Sequence, residues 1–174
     1  MKLNKTIIIV IIVIIAIIAV ILANTGLPNN NKTLTNNDTV GAVSDLEEHD
    51  FDTYFTMMIP KNTTFEKING TENGDISLYI NYKDPSENIN VIYAESVGGA
   101  EKLINAYENM AQDNANITVK NINNVTVLHL NDENIIGEND YHDLAVAGDD
   151  ARYVLMQCNN ESLMNSMATS LKFK

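Results

Sequence analysis

The densest group of chemically active side chains lies between residues 132 and 150, a segment rich in carboxylates. Asp140, His142 and Asp143 stand close enough together to offer oxygen and nitrogen ligands to one cation. Ca²⁺ takes carboxylate oxygens, and Zn²⁺ takes histidine nitrogen together with carboxylate oxygen. The spacing does not follow that of an EF-hand. These three residues are therefore a candidate Ca²⁺ or Zn²⁺ site, and the alternative is a solvated acidic loop.

A second combination of side chains would support nucleophilic catalysis. Cys158 and His142 would form a thiol–imidazole pair if strand pairing brought them together. However, Cys158 shares one face of a predicted strand with Val154 and Met156, which favours buried packing. The sequence contains no Gly-x-Ser-x-Gly, phosphate loop or His-Glu-x-x-His motif. We therefore predict no catalytic residue, and an exported hydrolase using His142, Asp143 or Cys158 is the weakest hypothesis.

Strand alternation is the main structural signal within the domain that follows the stalk. Apolar and polar residues alternate in short runs separated by turn residues, as in half-buried strands that form hairpins. His129 lies in one such run between Leu128 and Leu130, which predicts a partly buried, hydrogen-bonded histidine rather than a ligand. The predicted strands are residues 54–59, 65–68, 76–82, 89–95, 117–122, 125–131, 141–147 and 152–158.

Two helices complete the predicted fold. Residues 98–114 carry apolar side chains at helical spacing, and the Gly98-Gly99 pair is interpreted as a strand-to-helix turn. Near the C-terminus, Leu163, Met167 and Leu171 are spaced by four behind a capping Asn159 or Asn160. The sequence thus predicts an α+β fold: an N-terminal transmembrane helix, then a mainly antiparallel β-sheet of hairpins packed with two helices. Tyr79 is a core residue if a helix covers its face, and a recognition residue if that face is open.

The order of these elements resembles the PsbP-like fold, a family of exported domains. The resemblance rests on Phe55-Thr56-Met57-Met58-Ile59-Pro60, the hairpin 76–95, the helix 98–114 and the closing strand and helix from residue 153. It covers about residues 51–174. Lys61-Asn62-Thr63 stands where the family often has Gly-Trp, and the chain has no Trp. The resemblance implies a small exported domain that binds or scaffolds, without the photosynthetic role.

An apolar run of seventeen residues, 7–23, follows Lys2 and Lys5. As a helix it would span about 25 Å, enough to cross the hydrocarbon core of a membrane. A cleaved signal peptide is the alternative, but this run is long and Ile21 occupies the −3 position where a small residue is preferred. The positive-inside rule places the N-terminus in the cytoplasm and the rest outside the cell membrane. The predicted divisions are a cytoplasmic end at 1–6, a transmembrane anchor (signal-anchor) at 7–23, a flexible polar stalk at 24–50 and an exported domain at 51–174.

The net charge limits the classes of binding partner, and the Asn-x-Ser/Thr motifs bear on glycosylation. The chain has 23 acidic and 11 basic residues and a formal net charge of −12, and Arg152 is its one arginine. Because nucleic-acid binding needs clustered Lys and Arg, nucleic acid is excluded as a partner. Excess Asn-x-Ser/Thr motifs indicate a glycoprotein, although compositional bias explains them equally well. The motifs beyond the apolar run begin at Asn31, Asn37, Asn62, Asn69, Asn116, Asn124 and Asn160.

The function that best fits these features is a membrane-anchored extracytoplasmic binding or scaffolding domain that contacts a cell-surface protein or glycan. The alternative is a surface sensor that binds a metal or a small ligand through residues 132–150.

Overall fold

The computed structural model describes residues 45–70, 74–86, 88–130 and 141–174, all within one compact unit. This part of the chain forms ten strands and two helices. They are β1 (Leu46–Phe51), β2 (Phe55–Pro60), β3 (Glu66–Asn69), β4 (Ile76–Lys83), β5 (Ile89–Ser96), α1 (Gly99–Asp113), β6 (Ile117–Ile122), β7 (Val125–Leu130), β8 (Asp143–Gly148), β9 (Arg152–Cys158), α2 (Glu161–Ser170) and β10 (Lys172–Phe173).

The strands form two antiparallel sheets. The larger sheet has seven strands in the order β3-β4-β5-β9-β8-β7-β6, and the smaller has the order β1-β2-β10. The three predicted hairpins are confirmed as β4–β5, β6–β7 and β8–β9. Asn123 and Asn124 both have positive φ, as a two-residue hairpin turn of the favoured twist requires.

The seven-stranded sheet is covered on both faces. On the inner face, α2 packs on β9, β8, β7 and β6, and aromatic residues of the segment 51–55 pack on Tyr82 of β4 and Tyr93 of β5. On the outer face, α1 crosses β5, β9, β8 and β6. Each face therefore buries its own apolar layer. The inner core includes Phe51, Phe55, Met57, Val91, Tyr93, Val154, Met156, Met164 and Met167.

Tyr79 belongs to the outer face and is a core residue. It is buried, and its ring lies against Gly70, its neighbour in the β3–β4 ladder, where an added Cβ would lie 2.4 Å from the Tyr79 Cδ1 atom. Of the two alternatives for this tyrosine, a core position is the one observed.

The two predicted helices are confirmed. The capping side chain of α2 is that of Asn160, whose Oδ1 accepts the Leu163 N–H at 3.0 Å. The helix ends at Ser170, because the chain turns into β10, which pairs with β2.

The predicted fold class is wrong. The sequence predicts an α+β fold with one sheet of hairpins behind a transmembrane helix, whereas the described chain is β-rich, with two antiparallel sheets and two helices. The predicted anchor at 7–23 and the stalk up to residue 44 lie outside the described residues. No helix within the described ranges is long and apolar enough to span a membrane.

The domain begins earlier than the predicted boundary at residue 51. Residues 46–50 were expected in the stalk, but they form most of β1, which pairs with β2. Their acidic side chains make a strand hard to predict from the sequence, because the lysines that neutralise these charges are distant along the chain. Lys172 pairs with Glu48 and Lys174 with Asp50.

The buried tyrosines predict alkaline destabilisation. Burial raises the pKa of Tyr79, Tyr107 and Tyr153, so the folded state holds these phenol protons more tightly than the unfolded chain. Their contribution to stability is complete below about pH 10 and is lost as pH rises through the folded-state pKa values. Denaturant unfolding from about pH 8 to pH 11 should show stability falling above pH 10. Tyr107→Phe should reduce that slope by up to about 1.4 kcal/mol per pH unit. Unchanged slopes would contradict the burial of this phenol.

Candidate functional site

The structure does not bring the predicted metal ligands together within its described part. Asp140 lies outside the described residues. The His142 N–H donates to Asn159 Oδ1 at 2.8 Å, and its Nδ1 lies 3.3 Å from the Leu130 carbonyl oxygen. Among the described residues, no three His, Cys, Asp or Glu side chains are grouped as metal ligands. Binding of Ca²⁺ or Zn²⁺ stays a prediction.

Asp143 instead pairs with His129. The two residues are directly opposite in the β7–β8 ladder, and Asp143 Oδ1 lies 2.8 Å from His129 Nδ1. The carboxylate is buried, whereas a third of the histidine side chain is exposed. The expectation of a partly buried, hydrogen-bonded His129 is confirmed. The pairing of His129 with Asp143 depends on the β7–β8 register. That register cannot be derived from the sequence, because a long connection separates the two strands.

Cys158 is a buried thiol. Its Sγ donates to the Asn160 carbonyl oxygen at 3.4 Å, and its neighbours in the sheet are Asp143 and Ile89 rather than His142. Burial raises the pKa of this thiol to about 12, so it stays protonated at neutral pH. A protonated thiol is a poor nucleophile. The predicted packing role of Cys158 is therefore confirmed, and the thiol–imidazole pair is not formed.

Five of the predicted glycosylation motifs fall within the described residues. Asn62, Asn69, Asn116 and Asn124 are exposed, and Asn160 is partly exposed and caps α2. Asn31 and Asn37 lie outside the described residues. Modification of all seven stays a prediction.

A cleft of about 960 Å³ opens at the end of the seven-stranded sheet where β4 begins, β5 ends and β9 begins. The turn before α1 forms one wall, and the β8–β9 turn forms another. The lining residues are Gly74, Asp75, Ile76, Ser77, Tyr93, Glu95, Ser96, Val97, Gly98, Asp150, Ala151 and Arg152.

The wall before α1 depends on a close approach between two turns. The Ala100 N–H donates to the Asp149 carbonyl oxygen at 2.8 Å, which joins α1 to the β8–β9 turn. An added Cβ at Gly99 would lie 1.9 Å from that oxygen, so only glycine fits there. Gly98 has a φ of 81°, a conformation that glycine adopts at low cost. The expected strand-to-helix turn is confirmed.

The one arginine of the chain is engaged within the domain. Arg152 Nε donates to Asp149 Oδ2 at 3.2 Å, and its Nη1 donates to the Lys174 carbonyl oxygen at 3.1 Å. Its guanidinium lies 4.9 Å from the centre of the Phe173 ring. Hydrogen bonds from the Ala151 and Arg152 N–H groups and the Arg152 side chain lower the pKa of Asp149. This pairing offsets the positive charge of Arg152 at the cleft.

Acidic groups remain at the cleft. Asp75 is exposed and pairs with Lys102 at 2.8 Å, and this hydrogen bond lowers its pKa. Glu95 Oε1 accepts the Tyr93 hydroxyl at 3.0 Å, and Asp150 is exposed. Neither Glu95 nor Asp150 forms an ion pair with another described residue. The local field therefore favours a cation.

Tyr93 and Val97 also line the cleft. Tyr93 is almost fully buried, and its ring stacks on that of Tyr54 with centroids 4.3 Å apart. Val97 is 74% exposed and is the one large hydrophobic residue left exposed in the described part of the chain. Sequence reasoning missed this site, because the exposure of Val97 depends on how the two turns pack. The only local signal was an apolar residue directly before two glycines.

The fold and the cleft together define a β-rich domain with a covered seven-stranded sheet and an acidic cleft at one end. Comparisons of the chain with family models, with curated proteins and with solved structures find no match. The resemblance to the PsbP-like family stays a prediction.

The His129–Asp143 pair predicts a stability effect. Asp143→Ala removes a buried hydrogen-bonding partner and should lower the free energy of unfolding by about 1–3 kcal/mol. Glu66→Ala, at an exposed position, should change it by no more than about 0.5 kcal/mol. Urea denaturation of both variants measures the difference. Equal stabilities would contradict a structural role for this pair.

The same unfolding assay tests the metal hypothesis. A metal that binds only the folded state would add about 2.7 kcal/mol of stability at a hundredfold excess over its Kd. Stabilisation by Ca²⁺ or Zn²⁺ that disappears in Asp143→Asn would assign the predicted site. The Asp143 carboxylate is buried against His129. We therefore expect that neither ion stabilises the unsubstituted chain or the Asp143→Asn variant.

Proposed function

We propose that this chain is a membrane-tethered, extracytoplasmic binding module that captures a cationic, partly apolar segment of a neighbouring cell-surface protein. The observation that carries the proposal is the acidic cleft, where Glu95 and Asp150 stand beside the exposed side chain of Val97. Such a surface suits a partner segment that combines Lys or Arg with an apolar side chain.

The carboxylates of the cleft supply the charge complementarity. Exposed ion pairs are each worth about 0.2–1 kcal/mol, so pairs with Glu95 and Asp150 contribute up to about 2 kcal/mol together. Covering one side chain of the size of valine contributes about 1.5–3 kcal/mol. These contributions sum to at most about 5 kcal/mol before the cost of association is subtracted, so the affinity is no tighter than about the millimolar range, since a Kd of 1 mM corresponds to about −4.1 kcal/mol.

An affinity this weak suits a tethered protein. Attachment of both partners to one membrane raises their effective concentration and makes a weak contact sufficient. The apolar run at 7–23 after Lys2 and Lys5 supports such a tether. Within the domain, the cleft is at the Phe51–Tyr54 end of β1, opposite Asp45, where the described chain begins.

The acidity of the chain supports a cationic partner over other classes. With a net charge of −12, the chain repels nucleic acid and anionic lipid headgroups at long range. The resemblance to the PsbP-like family implies the same class of role, binding rather than catalysis.

The proposal is tested by NMR titration of the isotope-labelled full chain in neutral detergent with the peptide acetyl-Lys-Val-Lys-Val-amide. We expect amide shifts centred on Glu95, Val97 and Asp150. The double variant Glu95→Gln/Asp150→Asn should weaken binding about twofold to thirtyfold, because it removes both ion pairs.

Glu47→Gln/Glu66→Gln is the matched control, because it also removes two carboxylates, both of them exposed and outside the cleft. This control should bind as tightly as the unsubstituted chain. Shifts spread over the whole acidic surface, or equal losses in the control and the double variant, would show that the peptide responds only to net charge and would overturn the proposal.

A further inference from the structure

Arg152 has two acidic residues beside it, and the described structure pairs it with one of them. Glu95 lies directly opposite Arg152 in the β5–β9 ladder, and both residues line the cleft. Side chains of unlike charge that lie directly opposite in an antiparallel pair are close enough to attract each other. Within the described part of the chain, however, Arg152 is paired with Asp149 at 3.2 Å and forms no ion pair with Glu95. The guanidinium is therefore held away from the carboxylate that faces it.

The last strand, β10, and the residue after it supply the contacts that favour this arrangement. The Arg152 guanidinium lies 4.9 Å from the centre of the Phe173 ring, and a cation over an aromatic ring is attracted to it. Arg152 Nη1 also donates to the Lys174 carbonyl oxygen at 3.1 Å. Without these two contacts, the carboxylates of Asp149 and Glu95 would compete for one guanidinium on similar terms.

The contacts that hold residues 172–174 on the domain lie mostly at the surface. β10 has only two residues, which pair with β2, and the Lys174 N–H donates to the Tyr54 carbonyl oxygen at 3.0 Å. Lys172 and Lys174 form exposed ion pairs with Glu48 and Asp50 of β1. Exposed ion pairs are weak and are screened by salt. Such a short strand detaches more readily than the long strands of the core.

We propose that β10 is a latch that sets the charge of the cleft, an inference that rests on the proposed function. While β10 is docked, Arg152 stays with Asp149, and Glu95 is available to a cationic segment. When β10 leaves β2, the guanidinium loses Phe173 and Lys174 and becomes free to pair with Glu95. The cleft then loses one of the two carboxylates that attract the partner, so release of β10 weakens binding.

The latch is tested with the double variant Phe173→Leu/Lys174→Gln (the latch variant) of the full chain in neutral detergent. This variant removes the aromatic ring and the lysine side-chain contacts but keeps an apolar residue at position 173. We expect the Kd for acetyl-Lys-Val-Lys-Val-amide, measured by NMR titration, to rise about 1.5-fold to fivefold, as for the loss of one exposed ion pair.

The direction of this change separates the latch from an effect of net charge. Loss of a lysine makes the chain more acidic, which by itself would favour a cationic peptide. Lys61→Gln is the matched charge control, because it removes another paired, exposed lysine that lies outside the cleft. This control should not weaken binding.

The release of Arg152 is measured without the peptide. Arg152 is the one arginine of the chain, so a single arginine Nε–H signal in the NMR spectrum reports on it. Glu95→Gln should move this signal in the latch variant and move it far less in the unsubstituted chain, because the guanidinium reaches Glu95 only after release.

Arg152→Gln completes the cycle, because without the guanidinium the latch substitutions should no longer weaken binding. An Nε–H signal that is unaffected by Glu95→Gln in the latch variant would overturn the inference, as would weakening that persists in the Arg152→Gln background. Failure of the peptide to bind the unsubstituted chain would overturn the proposed function, and the Nε–H signal would still decide whether β10 holds Arg152. If the latch variant does not fold, Lys174→Gln alone should change both measurements in the same direction by a smaller amount.

Discussion

The constraint on which the rest of the structure depends is the burial of β5 and β9 on both faces. These neighbours pair along their whole length in the middle of the seven-stranded sheet. Val91 and Val154 face the inner core, whereas Ile92 and Leu155 are buried on the outer face. A sheet that is apolar on both faces needs two covering layers. The three-stranded sheet with α2 supplies one layer, and α1 supplies the other.

The cleft forms where the covered length of these two strands ends. Glu95 and Arg152 are partners in the same ladder, at the ends of β5 and β9 that emerge from the core. The register that packs the core thus also fixes the charges of the cleft. Arg152 is held by Asp149 and by the C-terminal residue, which leaves Glu95 available at the cleft. Val97 and the glycines that follow then place an apolar side chain beside this carboxylate.

Local sequence determines much of the fold but little of the site. The hairpins follow from alternation and from turn residues such as Asn123 and Asn124, and both helices follow from apolar spacing. β1 could not be predicted, because its acidic side chains are compensated by lysines more than a hundred residues away. The division into two sheets depends on the pairing of β10 with β2, which joins the ends of the domain. The cleft could not be predicted either, since the exposure of Val97 is set by the contact between two turns.

The central claim is that the cleft receives a cationic segment of a neighbouring surface protein. The most direct measurement places a photo-crosslinking benzoylphenylalanine at position 97 of the full chain in its native membrane and sequences the crosslinked peptide. We predict one dominant partner, crosslinked through a peptide that combines Lys or Arg with apolar residues, and its loss when Glu95→Gln and Asp150→Asn are introduced. The same crosslinker at the exposed position Thr169 on α2 should not capture this partner. Equal capture from both positions, or capture that survives neutralisation of the two carboxylates, would contradict the account.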